Sequence, residues 1–358
     1  MNILFTCAGR RRYLLKYFKK VIGDEGKIIA TDMQLTAPAL TAADIKIQVP
    51  RVYADDYIQK TLDICKEHDV KILISLNDLE LPILAENKRK FEELGVNVIV
   101  SDPEVINICF DKYITAQYIE KLGLKTPQTF VNYDKAVEAI KNGELKFPLI
   151  LKPRWGSGSI GLEFVDDLEE LEMVYKLDCK KVKKSILATA SSDTEFLLIQ
   201  EVIKGKEYGL DVVNDLQGNF RGVSVKEKLA MRSGETDKAQ TVDNADIRHI
   251  GATIGKNLHH IGNLDVDVLE RDGEYYVLEL NPRFGGGYPF SQEAGVNVPK
   301  AIVSWVNGEE VDDSLFIPRY GEMFSKCDIM LDISCKLLKY KRITPPVHTH
   351  PPALALCD

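Results

Sequence analysis

The sequence predicts an α/β protein whose first part is an open parallel sheet and whose second part mixes an antiparallel sheet with helices. Two observations predict this division. Over the first hundred residues, short apolar segments alternate with segments of helical apolar spacing, as in repeated β-α-β units. Beyond residue 200, apolar segments are separated by short turns, as in β-hairpins. The second part is expected to begin near residues 101–103, Ser-Asp-Pro.

The first part is predicted to be a doubly covered sheet. Its strands are expected at residues 2–6, 27–31, 45–49, 71–75 and 96–100, and its helices at residues 11–22, 55–68 and 79–94. Ligands of open parallel sheets bind at the carboxyl ends of the strands. These ends carry residues 9–12 (Gly-Arg-Arg-Arg), Asp32 and residues 77–80 (Asn-Asp-Leu-Glu).

The second part is predicted to be mainly antiparallel. Its helices are expected at residues 111–122, 169–175 and 247–260. Its strands are expected at residues 147–152, 162–165, 196–202, 207–214, 220–226, 264–270 and 275–280. The chain from Lys341 onward is rich in proline, so we predict a tail without a catalytic role.

The composition excludes several classes of function. The chain has 358 residues, of which 45% are hydrophobic, and its formal net charge is −8. A chain this acidic is a poor candidate for nucleic-acid binding, and no apolar stretch is long enough to cross a bilayer. The seven cysteines are scattered without a CxxC pair, and the N-terminus does not resemble a secretory signal. We therefore expect a cytoplasmic protein.

A glycine-rich segment at residues 149–161, LILKPRWGSGSIG, is the first candidate binding element. Its apolar start predicts a strand that reaches Lys152. A second strand follows the glycines, whereas a dinucleotide-binding loop must open a helix. We predict a flap whose backbone N–H groups close over phosphates. The flap includes Gly156, Ser157, Gly158 and Ser159. The alternative is a tight hairpin with a solvated lysine. A P-loop is excluded, since no GxxxxGK[ST] occurs.

The segment at residues 197–213 is the second candidate element. An apolar strand leads into Glu201, Val202 and Ile203, and Glu207 opens the next strand. Backbone groups at such a hinge can pair with a purine edge, and a carboxylate can bind ribose hydroxyls. A charged hairpin without a ligand is the alternative.

The third element is the run YYVLELNPRFGGGY at residues 275–288. Side chains alternate along a strand, so Glu279 and Asn281 lie on one face. Asp267 is expected on the neighbouring strand, and these three oxygen ligands suit magnesium. Arg283 then offers a forked cation for a carboxylate or phosphate. The glycines at 285–287 permit close approach of backbone to a ligand.

A basic segment at residues 226–239 is the candidate for the substrate side. It places Lys226, Lys228 and Arg232 around a loop predicted at residues 233–236, which we expect to face the acceptor or the phosphates. The alternative is a mobile solvated loop. We expect Arg283, Lys226 and Arg232 to be the catalytic residues.

Two polar groups of the N-terminal part are further candidates. The arginines at residues 10–12 precede a helix, where N–H groups and guanidinium groups could hold an anion; a solvated basic turn is the alternative. Asp78 and Glu80 could recognise an amine, and a helix cap with an acidic first turn explains them equally well.

Taken in this order, the three elements resemble the ATP-grasp superfamily, and the resemblance extends to about residue 310. The strongest match, ELNPRFGGGYP, is similar to the branch that contains the carbamoyl phosphate synthase large chain and its stand-alone relatives. The resemblance implies phosphate contacts by Lys112 and Lys152, and an adenine hinge and ribose carboxylate at Glu201, Val202, Ile203 and Glu207.

The same resemblance implies the metal ligands and the chemistry. Glu279 and Asn281 match two ligands, and the acidic ligand on the preceding strand is taken as Asp267, with Asp265 still open. Arg283 matches the residue that holds the transferred phosphate or the acyl substrate. The implied cofactors are ATP and Mg²⁺, with Mn²⁺ as a substitute. The implied partners are a small-molecule carboxylate and an amine, and a homodimer is expected.

The implied organisation is an N-terminal α/β domain at residues 1–108 and an ATP-grasp domain at 109–310. A flexible lid is expected at about 120–200, and a C-terminal extension at 311–358. The implied activity is ligation of a carboxylate, activated as an acyl phosphate, to an amine. Two alternatives stay open. One is a single-unit enzyme like carbamoyl phosphate synthase or biotin carboxylase, acting on bicarbonate or carbamate. The other is a non-catalytic nucleotide-binding protein.

Overall fold

The computed structural model describes residues 1–156, 161–183 and 195–333. The N-terminal strands are β1 (Asn2–Thr6), β2 (Lys27–Asp32), β3 (Ile45–Gln48), β4 (Val70–Ser75) and β5 (Asn97–Val98). They form the predicted parallel sheet, in the order β3-β2-β1-β4-β5. Because the chain changes direction across the sheet between β1 and β4, the carboxyl ends of these two strands border a crevice suited to a ligand.

Helices cover both faces of this sheet, as predicted. They are α1 (Arg12–Ile22), α2 (Tyr57–Glu67) and α3 (Leu81–Glu92). Ile3 and Phe5 pack with α1 on one face, and Leu4 packs with α2 and α3 on the other. Each buried side chain of this size stabilises the fold by about 2 kcal/mol. The period-2 pattern of a five-residue strand is therefore enough to fix both layers.

The second part contains a six-stranded antiparallel sheet. Its strands are β10 (Lys206–Asn214), β11 (Phe220–Arg232), β12 (Glu235–Thr241), β13 (Gly262–Arg271), β14 (Glu274–Asn281) and β15 (Met323–Ser325), in the order β14-β13-β10-β11-β12-β15. Helix α8 (Ala245–Leu258) packs on one face of this sheet.

The predicted loop at residues 233–236 is wrong. Strand β11 continues to Arg232, and β12 returns along it after a two-residue turn, Ser233 and Gly234. Both turn residues have positive φ, of 51° and 76°, which is the geometry of a tight hairpin. Residues 227–241 are mostly polar or charged and do not alternate regularly with apolar residues. The alternation of apolar and polar residues that predicts a strand is therefore absent from this part of the hairpin, and the sequence did not reveal it.

A smaller four-stranded sheet occupies the part of the chain that was predicted to be the lid. Its strands are β6 (Thr129–Phe130), β7 (Leu149–Pro153), β8 (Glu163–Val165) and β9 (Leu197–Glu201), and its helices are α6 (Tyr133–Lys141) and α7 (Leu168–Lys183). The strand order is β6-β9-β7-β8. Helix α7 is longer than the predicted 169–175. The lid has its own core, which includes Leu149, Leu151 and Ile199.

The remaining helices join the two parts. They are α4 (Pro103–Phe110), α5 (Lys112–Lys121), α9 (Tyr288–Glu293) and α10 (Val298–Val306). Ile302 of α10 belongs to the same apolar cluster as Phe18 of α1. Phe18 also meets Phe284 edge-on, with ring centroids 6.0 Å apart. These contacts place the residues that follow β14 against α1. No helix in the described ranges is long and apolar enough to span a membrane.

Candidate active site

Arg283 lies where the large sheet meets the N-terminal sheet. It follows β14, and its side chain is buried. Its Nε and Nη2 donate to the two carboxylate oxygens of Asp78, at 2.9 and 2.8 Å, and its Nη1 lies 3.4 Å from Asp265 Oδ2. Burial alone disfavours the charged guanidinium. The carboxylates of Asp78 and Asp265 outweigh it and raise the pKa of Arg283.

Asp265 and Asp267 lie on the same face of β13, opposite Asn281 and Glu279 respectively on β14. Val266, between them, points into the core. Burial, and then the nearby charge of Asp267, raise the pKa of Asp265 to about 6. The four side chains form the oxygen-rich strand pair that the alternation predicted. Asp267 lies opposite Glu279 in the strand register, whereas the carboxylate of Asp265 contacts the guanidinium of Arg283.

Lys228 joins the two carboxylates assigned to ribose and metal. Its Nζ lies 2.7 Å from both Glu207 Oε1 and Asp267 Oδ1. Burial disfavours its charge, but Asp267 and Glu207 outweigh burial and raise the pKa of Lys228. Lys228 was predicted from the sequence to lie beside a loop that faces the substrate. The signal that locates it is the register of the hairpin, in which Lys228 lies opposite Glu207.

The two lysines predicted to contact phosphates come from different elements. Lys112 opens α5, and its Nζ lies 3.2 Å from Glu279 Oε1 and donates to the carbonyl oxygen of Gly156. Lys152 is at the end of β7 and is only 6% exposed. Burial, and then the positive charge of Lys112, lower the pKa of Lys152 to about 8. In the described ranges, no carboxylate lies within ion-pair distance of Lys152 Nζ.

The predicted hinge lies between the lid and the large sheet. Glu201 ends β9, its N–H donates to the carbonyl of Gln128 at 2.9 Å, and its Oε1 lies 2.6 Å from Arg271 Nη1. Val202 is half-buried and Ile203 is buried. The carboxylate of Glu201 is therefore engaged by protein, and the backbone that follows is the part that could meet a base.

Lys226 is not at a loop facing the cleft, contrary to the sequence prediction. Its side chain is fully buried, and its Nζ lies 2.6 Å from Asp211 Oδ2. Ser291 donates to the same carboxylate oxygen at 2.5 Å, and Asn263 donates to the other at 3.0 Å. Helix α9, which carries Ser291, covers this end of the sheet. In this structure the charge of Lys226 is therefore engaged by groups of the protein itself.

Arg232, the third predicted catalytic residue, forms ion pairs with carboxylates of the protein itself. Its guanidinium lies 2.7 and 3.1 Å from the carboxylate oxygens of Asp328, and 3.1 Å from Asp237. It is about half exposed. Both of these partners are carboxylates that the sequence did not single out as site residues.

The polar residues of the N-terminal sheet have separate roles. Arg11 donates to the carbonyl of Phe284, and Arg12 donates to Thr41. Asp78 binds Arg283, as described above. Glu80 is fully buried, where Thr6 and Ser75 donate to one oxygen at 2.8 and 2.6 Å and Tyr57 donates to the other. Burial raises the pKa of Glu80. Glu80 is the N-cap residue of α3, but its side chain makes no capping hydrogen bond.

Each of the three glycines after Arg283 faces a charged side chain. A Cβ at Gly285 would overlap the carboxylate of Asp265, one at Gly287 would lie 2.8 Å from Lys226 Cε, and one at Gly286 would lie 3.3 Å from Glu235 Cδ. Backbone does approach closely here, as predicted. What it approaches in this structure is the protein's own charged groups.

A small cleft opens between the N-terminal domain and Lys112. Its wall includes Asp78, Leu81, Ile106, Cys109, Phe110, Lys112, Gly156, Glu279, Asn281 and Pro282. The three flap residues Ser157, Gly158 and Ser159 lie outside the described residues, as does the tail from Lys341. Within the described residues, no group of three or more His, Cys, Asp or Glu is arranged to hold a metal ion.

Paired lysines and an acidic strand pair, enclosed between a lid sheet and a large antiparallel sheet, define a nucleotide-binding enzyme. Residues 109–287 match the family described as "ATP-grasp domain", and residues 3–99 match "PylC-like, N-terminal domain". Since the first match covers half of the chain, this chain belongs to the ATP-grasp family. The predicted family and fold are confirmed.

The similar proteins agree with this assignment. The carbamoyl phosphate synthase large chain of Mesorhizobium japonicum is 24% identical over 65% of this chain. The match covers 22% of that protein, so the chain spans about a fifth of the curated relatives it matches.

Two solved structures share the fold. One is the biotin carboxylase domain of Hydrogenobacter thermophilus 2-oxoglutarate carboxylase, solved with MgADP and bicarbonate. It has a TM-score of 0.69 and 19% identity, and covers 90% of this chain and 73% of that one. The other is L-amino acid ligase from Bacillus licheniformis, with a TM-score of 0.66 and 19% identity, over 89% and 78% of the two chains. ATP-grasp proteins use ATP and Mg²⁺.

Proposed function

We propose that this chain is a ligase that uses ATP and Mg²⁺ to activate a carboxylate as an acyl phosphate, which an amine then attacks. The observation that carries the proposal is Lys152. Its ammonium group is buried beside the charge of Lys112, and no described carboxylate pairs with it. Neighbouring buried cations are unfavourable, and Glu279 and Asp267 offset this only in part, since the pKa of Lys152 stays lowered. A triphosphate supplies further negative charge at the junction of the lid and the large sheet.

The nucleotide base and ribose have candidate partners along the same junction. The backbone of Val202 and Ile203 follows the last lid strand, and Glu207 begins the large sheet beside it. Glu207 shares Lys228 with Asp267. A ribose on Glu207 would therefore leave the triphosphate pointing along β13 toward Asp267 and the two phosphate-side lysines.

The donor set of the large sheet fits Mg²⁺. Asp267 and Glu279 lie opposite each other in register, and the amide oxygen of Asn281 is two residues further along the same face. Hard oxygen donors of this kind suit Mg²⁺. Lys228 and Lys112 now neutralise the two carboxylates. We propose Asp267, Glu279 and Asn281 as the ligands, where the metal would neutralise phosphate charge. We place Asp265 with Arg283.

The proposed reaction has two steps. A carboxylate oxygen of the substrate attacks the γ-phosphorus of ATP, the bond to the β-phosphate oxygen breaks, and ADP leaves. The amine nitrogen then attacks the acyl carbon, the bond to phosphate breaks, phosphate leaves and the amine gives one proton to solvent. Lys112 and Lys152 position the phosphates, and Arg283 holds the acyl phosphate. Most of the rate enhancement comes from positioning and charge stabilisation.

The test is ADP release with pairs of carboxylates and amines, with bicarbonate included among the carboxylates. Lys152→Ala and Glu279→Gln are expected to lower turnover at least a hundredfold. Lys141→Ala removes an exposed lysine of α6 and serves as the control. Normal turnover of the Lys152 and Glu279 variants would contradict the proposal. Release with bicarbonate alone would favour the bicarbonate-acting alternative, and nucleotide binding without release from any pair would favour a binding protein.

Three secondary proposals accompany this function. Mn²⁺ is expected to replace Mg²⁺, because the donor set consists of oxygen atoms.

A cytoplasmic location is supported by five described cysteines that are free thiols. A homodimer is supported by the dimeric domain from Hydrogenobacter thermophilus, and sedimentation measurements would test it.

A further inference from the structure

A second polar cluster lies beyond Arg283, on the side away from the lysines that contact phosphates. It consists of Arg11 and Tyr13 from the N-terminal domain, Glu235 at the start of β12, and Lys326 just after β15. Lys326 Nζ lies 3.3 Å from Glu235 Oε2. The positive charge of Arg11 lowers the pKa values of Glu235, Lys326 and Tyr13, in addition to the effect of burial on each. We name these four residues the outer cluster.

Tyr13 provides the observation that points to a ligand. Its hydroxyl oxygen is buried and has no hydrogen-bond partner within the described residues. Burial raises the pKa of Tyr13 to about 12. Arg11, two residues earlier in the chain, donates to the carbonyl of Phe284, which directly follows Arg283. A buried hydroxyl without a partner is unfavourable, and a ligand atom at this position would relieve that cost.

The outer cluster offers charges of both signs at an accessible position. The Glu235 carboxylate is about half exposed, whereas the side chain of Lys326 is 22% exposed and lies against the ring of Phe290. Gly286 permits the carboxylate to approach the chain, since a Cβ there would lie 3.3 Å from Glu235 Cδ. A ligand that matches this arrangement needs an ammonium group for Glu235 and a carboxylate for Arg11 and Lys326.

We propose that the outer cluster binds a free α-amino acid as one of the two substrates, with its ammonium group on Glu235, its carboxylate on Arg11 and Lys326, and a hydrogen bond to Tyr13. This inference deepens the proposed function and rests on it for the chemistry that follows binding. The lysine ammonium already on Glu235 shows that the position accepts such a group. On binding, the substrate ammonium displaces that of Lys326, which turns to the substrate carboxylate.

The experiment measures binding, so that it does not depend on turnover. The full-length protein is saturated with Mg²⁺ and a non-hydrolysable ATP analogue, and is titrated calorimetrically with the common α-amino acids. Each amino acid that binds is compared with its N-acetyl derivative and its amide. We expect each derivative to bind at least tenfold more weakly, because each lacks one of the two charges. An amino acid that binds no tighter than both derivatives overturns the proposal, as does the absence of binding by every amino acid.

Matched variants locate the binding. Glu235→Gln is expected to weaken amino-acid binding about tenfold or more, and Tyr13→Phe about threefold to tenfold. Glu227→Gln on β11 and Tyr17→Phe on α1, whose hydroxyl bonds to Glu293, are the controls and are expected to bind normally. Unchanged binding in the Glu235 and Tyr13 variants, or equal weakening in the controls, overturns the assignment. Nucleotide affinity serves as the folding check for all four proteins.

The two proposals fail in distinguishable ways. If amino acids bind as described but no pair of substrates releases ADP, the outer cluster stands and the ligase activity does not. If ADP is released only with substrates that lack the α-amino acid group, the ligase activity stands, and the assignment of an amino acid to the outer cluster is wrong.

Discussion

Asp78 holds Arg283 through two hydrogen bonds of 2.9 and 2.8 Å, although 205 residues separate them in the chain. One residue follows a strand of the N-terminal parallel sheet, and the other follows β14 of the large sheet. The ion pair is buried and bidentate, which fixes the plane of the guanidinium. The N-terminal domain therefore orients a residue of the ATP-grasp site.

Asp78→Asn tests this contact. Removing one partner of a buried ion pair leaves the other charge without compensation, and we expect a loss of about 3 kcal/mol in the free energy of unfolding. Turnover should also fall, while nucleotide affinity stays close to normal, because Asp78 orients Arg283, which is proposed to hold the acyl phosphate. Urea unfolding and nucleotide titration measure the two effects. Asp63→Asn, on the exposed face of α2, is the control, and equal stability of the two variants would refute the role of Asp78.

Lys152 predicts a pH dependence of stability. Its pKa in the folded protein is about 8, below the ordinary 10.5, mainly because of burial. Between these two values the folded protein binds fewer protons than the unfolded chain, so the free energy of unfolding rises with pH. Below pH 8 the full cost of the buried charge is present. Lys152→Met should therefore be more stable than the wild type at pH 7, by a margin that shrinks above pH 8. A difference in the free energy of unfolding between the variant and the wild type that stays constant from pH 7 to pH 10 would contradict the assignment.

The same group predicts a pH dependence of nucleotide binding. Phosphate contacts require the charged ammonium group, so the affinity of the wild type for Mg-ATP should weaken as pH rises above about 8. Lys152→Met should bind ATP more weakly at pH 7 and should lack this decline. Fluorescence titration with a labelled ATP analogue from pH 6.5 to 9.5 would measure it, within the range where the wild type remains folded.

Lys228 predicts a link between stability and Mg²⁺. Lys228→Met leaves Glu207 and Asp267 without their shared cation, and we expect a loss of about 2 kcal/mol in the free energy of unfolding. Mg²⁺ should restore part of this loss, because Asp267 is a proposed ligand. Thermal unfolding with and without Mg²⁺ measures the effect. Lys206→Met removes an exposed lysine that pairs with Glu227, and it should show no such rescue.

Gly285 predicts a steric effect on the site. A Cβ at this position would overlap the carboxylate of Asp265, whereas at Gly286 it would meet only the end of the Glu235 side chain. Gly285→Ala should therefore displace Asp265 and Arg283, with a loss of about 2 kcal/mol in stability and a clear loss of turnover. Gly286→Ala should cost less than half as much stability. The reverse order would show that Asp265 is not held as described.

Local rules predicted much of the site. The period-2 alternation of β14 placed Glu279 and Asn281 on one face, and the strand predicted at residues 264–270 placed Asp267 beside them. The apolar strand that reaches Lys152 was equally readable. These predictions are possible because strand alternation and short hairpins depend only on neighbouring residues.

Other parts of the site could not be predicted in this way. Lys226 and Lys228 are two residues apart on one face of β11, and no local signal separates them. Lys226 is fully buried with Asp211, because α9 packs over that end of the strand. Lys228 remains at the cleft between Glu207 and Asp267. The difference depends on a helix that is about sixty residues further along the chain.

The sequence by itself determined the two-part fold, the family and the residues that could bind a nucleotide and a metal. Only the tertiary structure decided which charges are paired. Arg283 meets Asp78, and Lys326 meets Glu235, through contacts between elements that are far apart in the chain. Burial decides whether such a charge needs a partner, and burial is a property of packing. Lys152, which is buried without a described carboxylate partner, therefore became the strongest functional observation only in the folded protein.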